Sequence, residues 1–277
     1  MVKPLLNKST MENKINIPKI IHLTWFSGEE IPSKLQKCID SWKKLLPDFK
    51  IKLWTMEMAR DLNIQFVNEA LDARKWAFAG DVIRAYAIWK YGGVYMDTDI
   101  FLLKRFDELL DKPIVFFIET NSYRWKMFNK EEYLTPEGKC KYPDCFVFGR
   151  QIQAAMFMGI PNQKCLEEIV EFYKNRRFLD KDGNPDMSLI SPVIYAKVLE
   201  KYGFLYSDKN QLLSNGICIY SSEYVANSPH ETTSNTIAIH LAEHAWDPRT
   251  PWKKIKYRIR MTKFGSILNK LRYKLWS

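Results

Sequence analysis

Apolar residues along this chain gather in short β-prone runs that alternate with stretches of helical spacing. The run 18–25 (Pro-Lys-Ile-Ile-His-Leu-Thr-Trp) is closed by Phe26-Ser27-Gly28 and predicts a strand followed by a turn. After Ile31-Pro32, Leu35, Ile39, Trp42 and Leu46 recur at helical spacing behind Ser33 and stop before Pro47, so 33–46 predicts a helix. Residues 49–54 predict a second strand, and 68–91 a long helical stretch, broken near Gly80 and ending at Gly92-Gly93. The apolar run 94–96 leads straight into Asp97-Thr98-Asp99 and resumes at 100–103. Further strands are expected at 114–118, within 146–158, at 216–220 and at 236–241, with helices at 165–173 and 192–202. Residues 123–144 form a polar, loop-rich insertion. Strands alternating with helices predict an α/β fold with a mainly parallel sheet and helices on both faces.

Composition divides the chain. The sequence has 277 residues, 46% of them hydrophobic, which excludes a disordered chain and leaves room for one large domain. Its net charge of +10 comes from 42 basic and 32 acidic residues. From Pro248 onward there are ten basic residues and no acid, so 1–247 is neutral and the charge excess sits in the last stretch. The expected organisation is a flexible leader over 1–16, a body over 17–247 and a basic tail over 248–277. In that tail Phe264, Ile267, Leu268, Leu271 and Leu275 fall at helical spacing among Lys and Arg, ahead of Trp276. This pattern predicts an amphipathic basic helix; it either packs on the body or attaches to an anionic membrane surface. Five scattered cysteines lack the spacing of a zinc finger and indicate reduced thiols. No apolar run reaches the length of a bilayer span, and the N-terminus lacks the apolar block of a secretory signal. The expectation is a cytoplasmic protein, peripheral on the inner face of the cytoplasmic membrane. A neutral body without a groove-type basic motif speaks against nucleic acid as a partner.

The candidate chemistry lies between Ala79 and Asp99. On extended backbone, Asp97 and Asp99 point to one face and can converge on a hard cation, Mn²⁺ or Mg²⁺, with positions left open for a diphosphate. Asp-x-Asp pairs are abundant in surface loops, but these two acids end an apolar strand behind a Gly-Gly turn, where an unpartnered charge is expensive. Ligands of open α/β sheets bind beyond the carboxyl ends of strands. Asp81 and Arg84 are three apart on one helix face. They form either a plain salt bridge, or a sugar-binding carboxylate held by an arginine that also approaches phosphates.

The run Ala-Phe-Ala-Gly-Asp-Val-Ile-Arg through Tyr-Gly-Gly-Val-Tyr-Met-Asp-Thr-Asp, 77–99, closely resembles the signature of glycosyltransferase family 32. This family comprises the DxD sugar-binding-region enzymes, which include capsular and lipopolysaccharide transferases and yeast mannosyltransferases. The opening 17–26 resembles the family's first strand, and similar elements occur in clostridial glucosylating toxins. The resemblance implies a GT-A fold of Rossmann-like type, a nucleotide-sugar donor, a divalent metal and transfer with retention of configuration. It implies that Trp25 stacks on the nucleotide base, that Asp81 and Arg84 bind the donor sugar, and that Asp97 and Asp99 bind ribose and metal. Tyr95 would line the same pocket. The segment 237–246 resembles the family's closing motif, with Ala245 where Ser is common. It offers His240 and His244 as metal or diphosphate contacts and Trp246 as a cap on the leaving phosphates. Gln153 lies in a segment that resembles the family's approach to the anomeric carbon, where it either stabilises the reacting face or is a plain strand residue. No second carboxylate stands out as a nucleophile, which favours front-face substitution over double displacement.

Two classes of function follow. One is a metal-dependent retaining glycosyltransferase in surface or capsular polysaccharide synthesis. It would use a UDP-sugar, UDP-galactose favoured, and act on a glycan acceptor carried on polyprenyl diphosphate. The other is a non-enzymatic polyanion- or membrane-binding protein whose Asp pair is structural.

Overall fold

The structure is a computed structural model and describes residues 16–242. Most of the leader and everything from 243, including His244, Trp246 and the basic tail, lie outside the described residues. The chain opens with β1 (Ile20–Thr24), α1 (Ser33–Leu45) and β2 (Lys50–Trp54), close to their expected places. α1 forms because Leu35, Cys38, Ile39 and Trp42 bury one stripe, and the Trp42 indole N–H reaches the Ile100 carbonyl at 2.7 Å.

A short α2 (Met56–Arg60) precedes α3 (Gln65–Asp72) and α4 (Trp76–Tyr91). The expected break in the long helical stretch exists, but between α3 and α4, where Arg74 takes φ 54°, and not at Gly80. Gly80 stays helical because α4 crosses the end of β1 there: a Cβ on Gly80 would stand 3.4 Å from the Thr24 hydroxyl. α4 is buried nearly all round from Phe78 to Ile88, so it is a central helix with little amphipathic stripe for the sequence to show.

Gly92 and Gly93 turn α4 into β3 (Gly93–Met96), with φ values of 63° and 110°. At Gly93 a Cβ would lie 2.5 Å from the Ile20 carbonyl oxygen, so side chain and backbone both require glycine here. β4 (Ile100–Leu102) follows, then β5 (Ile114–Thr120). The polar insertion holds two short helices, α5 (Ser122–Met127) and α6 (Lys130–Tyr133). The expected strand within 146–158 is two strands, β6 (Arg150–Ile152) and β7 (Met156–Gly159). α7 (Lys164–Lys174), α8 (Ser191–Glu200), β8 (Gln211–Leu212), β9 (Ile217–Tyr220), β10 (Val225–Ala226) and β11 (Ala238–His240) complete the described elements.

The main sheet runs β2-β1-β3-β7-β5-β9-β8, with β6 pairing β5. The expected α/β sheet is present, with β2, β1 and β3 parallel on one side and β5 and β9 parallel on the other. Between them β7 runs in reverse, so its N-terminal end shares an edge with the C-terminal ends of its neighbours β3 and β5. One face carries α3, α4, α7 and α8; the other carries α1 and a small sheet ordered β10-β11-β4. β4 has therefore left the main sheet, although its residues continue the apolar run of β3.

His22 fastens β1 to the Gly92 turn. Its Nε2–H donates to the Gly92 carbonyl at 2.9 Å, and its Nδ1 accepts from the Trp54 indole at 3.1 Å. That pattern requires a neutral ring, and burial lowers the pKa to about 4. Protonation is thus easier in the unfolded chain: the contribution of His22 is intact above pH 6.5 and declines as pH falls towards 4, by about 3 kcal/mol in all. Urea unfolding of wild type and His22→Gln at pH 7 and pH 4 should show their stability difference shrinking by about that amount; a constant difference would refute it. Gly93→Ala is expected to cost about 3 kcal/mol or more and to lower Tm by roughly 6 °C or more. A melting curve matching wild type would show that the turn tolerates a side chain.

Candidate active site

A cavity of about 400 Å³ opens at the edge where β1, β3 and β5 end and β7 begins. Thr24, Trp25 and Phe26 enter from the end of β1, and Gly80, Asp81 and Arg84 from α4. Asp97, Thr98 and Asp99 follow β3, and Gln153, Ala154 and Ala155 precede β7. Glu119 comes from β5, Ser191 from the start of α8, and His240 from β11.

Asp97 and Asp99 do converge, though by a different route from strand alternation. The chain turns at 97–100, with the Asp97 N–H bonded to the Ala155 carbonyl at 2.8 Å and the Ile100 N–H bonded to the Asp97 carbonyl at 3.0 Å. β4 then pairs antiparallel with β11, which sets His240 opposite Ile100. One ligand atom from each of Asp97, Asp99 and His240 comes within 4.8 Å of the others, and His240 Nε2 is 3.5 Å from Asp99 Oδ1. The pairing of β4 with β11 brings the histidine in across 141 residues of chain.

Arg84 lies between Asp81 and Asp97, with Nη2 3.2 Å from Asp81 Oδ1 and 3.4 Å from Asp97 Oδ1. Its Nη1 donates to the Ala154 carbonyl at 2.8 Å and its Nε to the Gly80 carbonyl at 3.3 Å. Only 7% of the residue is exposed, so most of its donors are spent on the protein, and its first task is to hold the two acids. Asp81 Oδ1 also accepts from the Ser191 hydroxyl at 2.7 Å. Burial raises the Asp81 pKa to about 6 against the opposing pull of Arg84 and Ser191. Burial also raises Asp97; Arg84 opposes the rise and the neighbouring Asp99 adds to it.

Tyr95 does not line the cavity. It is fully buried behind it, donating its hydroxyl hydrogen to Asp97 Oδ1 at 2.7 Å and lying 3.1 Å from the Thr24 hydroxyl. Trp25 does line it, with its indole N–H bonded to the Glu29 carbonyl at 2.7 Å. Gln153 is 2% exposed; its Oε1 accepts from the Ala155 N–H, while its buried Nε2 has no hydrogen-bond partner among the described residues. Such an amide at a cavity wall suits a ligand oxygen. His244 and Trp246 lie outside the described residues.

Among the described residues Asp81, Asp97 and Asp99 thus share this part of the cavity wall with one arginine, Arg84, and burial makes such a concentration of negative charge costly. The buried Nδ1 of His240 has no hydrogen-bond partner either. Two carboxylates and an imidazole form a donor set that fits a divalent ion such as Mn²⁺ and leaves coordination positions free.

Sequence patterning did not single out Ser191 and Glu119, which both line the cavity. Ser191 opens α8 without capping it, because its hydroxyl is committed to Asp81. Glu119 ends the apolar run of β5, the same signature that singled out Asp97, and its Oε2 accepts from Gln151 Nε2 at 3.3 Å.

Residues 32–115 match the model of a family described as glycosyltransferase sugar-binding region containing DXD motif. That segment contains Asp81, Arg84, Asp97 and Asp99, and bears out the resemblance to the DXD sugar-binding-region glycosyltransferases. Inositol phosphoceramide mannosyltransferase 3 of Schizosaccharomyces pombe is 36% identical over 105 residues, 35% of this chain and 28% of that protein. Mannosyl phosphorylinositol ceramide synthase SUR1 of Saccharomyces cerevisiae is 37% identical over 105 residues, 35% of this chain and 26% of that protein. The chain spans less than a third of the length of these curated relatives. Among solved structures, the PaToxG glycosyltransferase aligns with 67% of this chain and 70% of its own at 14% identity, with a TM-score of 0.45.

Tyr95→Phe removes one hydroxyl from behind Asp97 without touching the cavity wall. It is expected to cost about 1–2 kcal/mol of stability and to weaken Mn²⁺ binding about tenfold or more. Titration of the free Mn²⁺ signal by electron paramagnetic resonance checks this, and an unchanged affinity would show that the hydroxyl does not position Asp97.

Proposed function

We propose that this chain, with a DXD-type sugar-binding region over 32–115, is a metal-dependent retaining glycosyltransferase. It moves a hexose from a nucleotide sugar to a glycan acceptor. The observation that carries this reading is the convergence of Asp97, Asp99 and His240 in one cavity with Asp81 and Trp25. Trp25 stacks on the base, and Asp81, oriented by Arg84 and Ser191, accepts hydrogen bonds from the donor sugar. Asp97, Asp99 and His240 would hold a divalent ion, Mn²⁺ or Mg²⁺, which would supply positive charge to offset that on the departing diphosphate. His244 and Trp246 are assigned to the same diphosphate by resemblance.

In the transfer, the bond from the anomeric carbon to the diphosphate oxygen breaks, and the acceptor oxygen bonds to that carbon on the same face. The acceptor proton passes to the departing diphosphate. The unmet Nε2–H of Gln153 donates to an oxygen at the reacting face.

UDP-galactose is the first donor in this reading, with a glycan on polyprenyl diphosphate in surface or capsular polysaccharide synthesis as acceptor. The basic stretch 248–277 would hold the enzyme on the inner face of the cytoplasmic membrane. Among the described residues no helix is long and apolar enough to cross a membrane. A second reading, transfer of mannose to an inositol-bearing phospholipid acceptor, is favoured by the similarity to the yeast inositol phosphoceramide mannosyltransferase and mannosyl phosphorylinositol ceramide synthase.

Incubation with UDP-galactose, UDP-glucose, UDP-N-acetylglucosamine or GDP-mannose plus Mn²⁺ should release nucleoside diphosphate from one donor, and chelation should stop the release. Asp99→Asn should lower that rate roughly 100-fold or more with little change in Tm. Failure of all four donors to bind in the presence of metal would overturn the assignment, and full activity of Asp99→Asn would place the metal elsewhere.

A further inference from the structure

Strand order gives the cavity a direction. β1, β3, β7 and β5 lie side by side at steps of roughly 4.8 Å, and the cavity residues follow in that order. Trp25 stands beyond β1, Asp97 beyond β3, Ala155 before β7 and Glu119 at the end of β5. With the nucleoside at Trp25 and the diphosphate at Asp97, as in the reading above on which this inference rests, the Glu119 end is left for whatever receives the sugar.

Glu119 is placed there by construction. In the β5–β6 ladder it is the direct partner of Gln151, whose Nε2 donates to Glu119 Oε2. Gln151 is itself 3% exposed, and its Oε1 accepts from the Gly149 N–H at 3.4 Å. Gly149 has φ 94°, and a Cβ on it would stand 2.2 Å from the Trp125 backbone nitrogen, so the backbone behind Gln151 is wedged against α5. Among the described residues no lysine or arginine pairs with Glu119. A carboxylate fixed through one oxygen at a cavity wall, without a cation beside it, accepts hydrogen bonds from neutral donors and repels anions.

We propose that Glu119 binds the acceptor: it accepts a hydrogen bond from a hydroxyl of a polyhydroxylated ring and so orients that ring towards the anomeric carbon. Gln151 is its positioning residue. Any phosphate or diphosphate of the acceptor lies away from this end, because the carboxylate would repel it. The proton lost in the transfer still goes to the departing diphosphate and not to Glu119.

The test uses the full chain with Mn²⁺ and the donor it hydrolyses, and offers methyl α-D-mannopyranoside, methyl β-D-galactopyranoside and myo-inositol as acceptor probes. Glu119→Gln should keep donor hydrolysis by water within about threefold, while transfer to the probes falls about 10- to 100-fold, chiefly through a raised acceptor KM. Glu119→Asp should recover part of the loss, and Gln151→Leu should raise the acceptor KM without altering donor KM. Unchanged transfer by Glu119→Gln would overturn the proposal. Parallel loss of hydrolysis and transfer would also overturn it, since the residue would then serve the donor. A wild-type enzyme that hydrolyses its donor but takes none of the three probes would refute the polyhydroxyl assignment. Absence of donor hydrolysis in wild type would instead sink the transferase reading itself.

Discussion

The arrangement turns on the buried Arg84 guanidinium between Asp81 and Asp97. A charge this deep is costly unless its partners surround it, and removing one partner of such a cluster typically costs about 3–5 kcal/mol. Arg84 meets the condition by joining three parts of the chain: Gly80 on its own helix, the Ala154 carbonyl ahead of β7 and the acid that follows β3. The reversal of β7 makes this possible. Because that strand runs against its neighbours, its leading backbone reaches the edge where β3 ends, and the Ala155 carbonyl takes the Asp97 N–H there. The arginine and the reversed strand thus fix the same acid from two sides.

One arginine does not neutralise three carboxylates. Asp81 and Asp97 both have raised pKa values, burial being the first cause, and Asp97 gains a further increment from Asp99. In a protein built only for stability such a surplus would be traded for neutral packing. It stands beside two buried nitrogens, on Gln153 and His240, that have no hydrogen-bond partner among the described residues, and this combination suits the cation and polar ligand of the proposed function. Within the cluster, Arg84 and Tyr95 both meet the same oxygen of Asp97, Oδ1.

Much of this was legible before any coordinates. Helical spacing placed α1 and α7 within a residue or two, and the apolar runs placed β1, β3, β5 and β9. Asp97 and Asp99 were singled out because an apolar strand stops at a carboxylate, yet that rule was not applied to Glu119, which ends β5 in the same way. Other misses have physical causes. α4 is buried on every side, so its pattern lacks the periodicity that would mark its start, and the break fell at Arg74, whose positive φ no apolar spacing reveals. β4 continues the apolar run of β3 but belongs to another sheet, because the 97–100 turn redirects the chain and pairing with β11 decides the rest. Such pairing depends on residues far apart in sequence, so local pattern could offer His240 as a candidate but not its distance from Asp99. Tyr95 stands two residues before Asp97 and shares its side of the strand, yet it is fully buried behind the cavity and reaches the site only through its hydroxyl, which donates to Asp97 Oδ1.

The strand order also explains why one cavity can hold partners of opposite character. The end at β1 is walled by Trp25, Phe26 and Leu35 and suits a flat, largely apolar base. The middle has the acids and the imidazole, and the far end has a lone carboxylate backed by an amide. Negative charge in the middle is useful only with a cation present, since without one it would repel a diphosphate. Negative charge at the far end needs no such ion if what enters is uncharged. In the proposed function the same residue type would therefore do opposite things a few strands apart: with metal it would capture an anion, and without it would select a neutral hydroxyl-bearing ring over a phosphate.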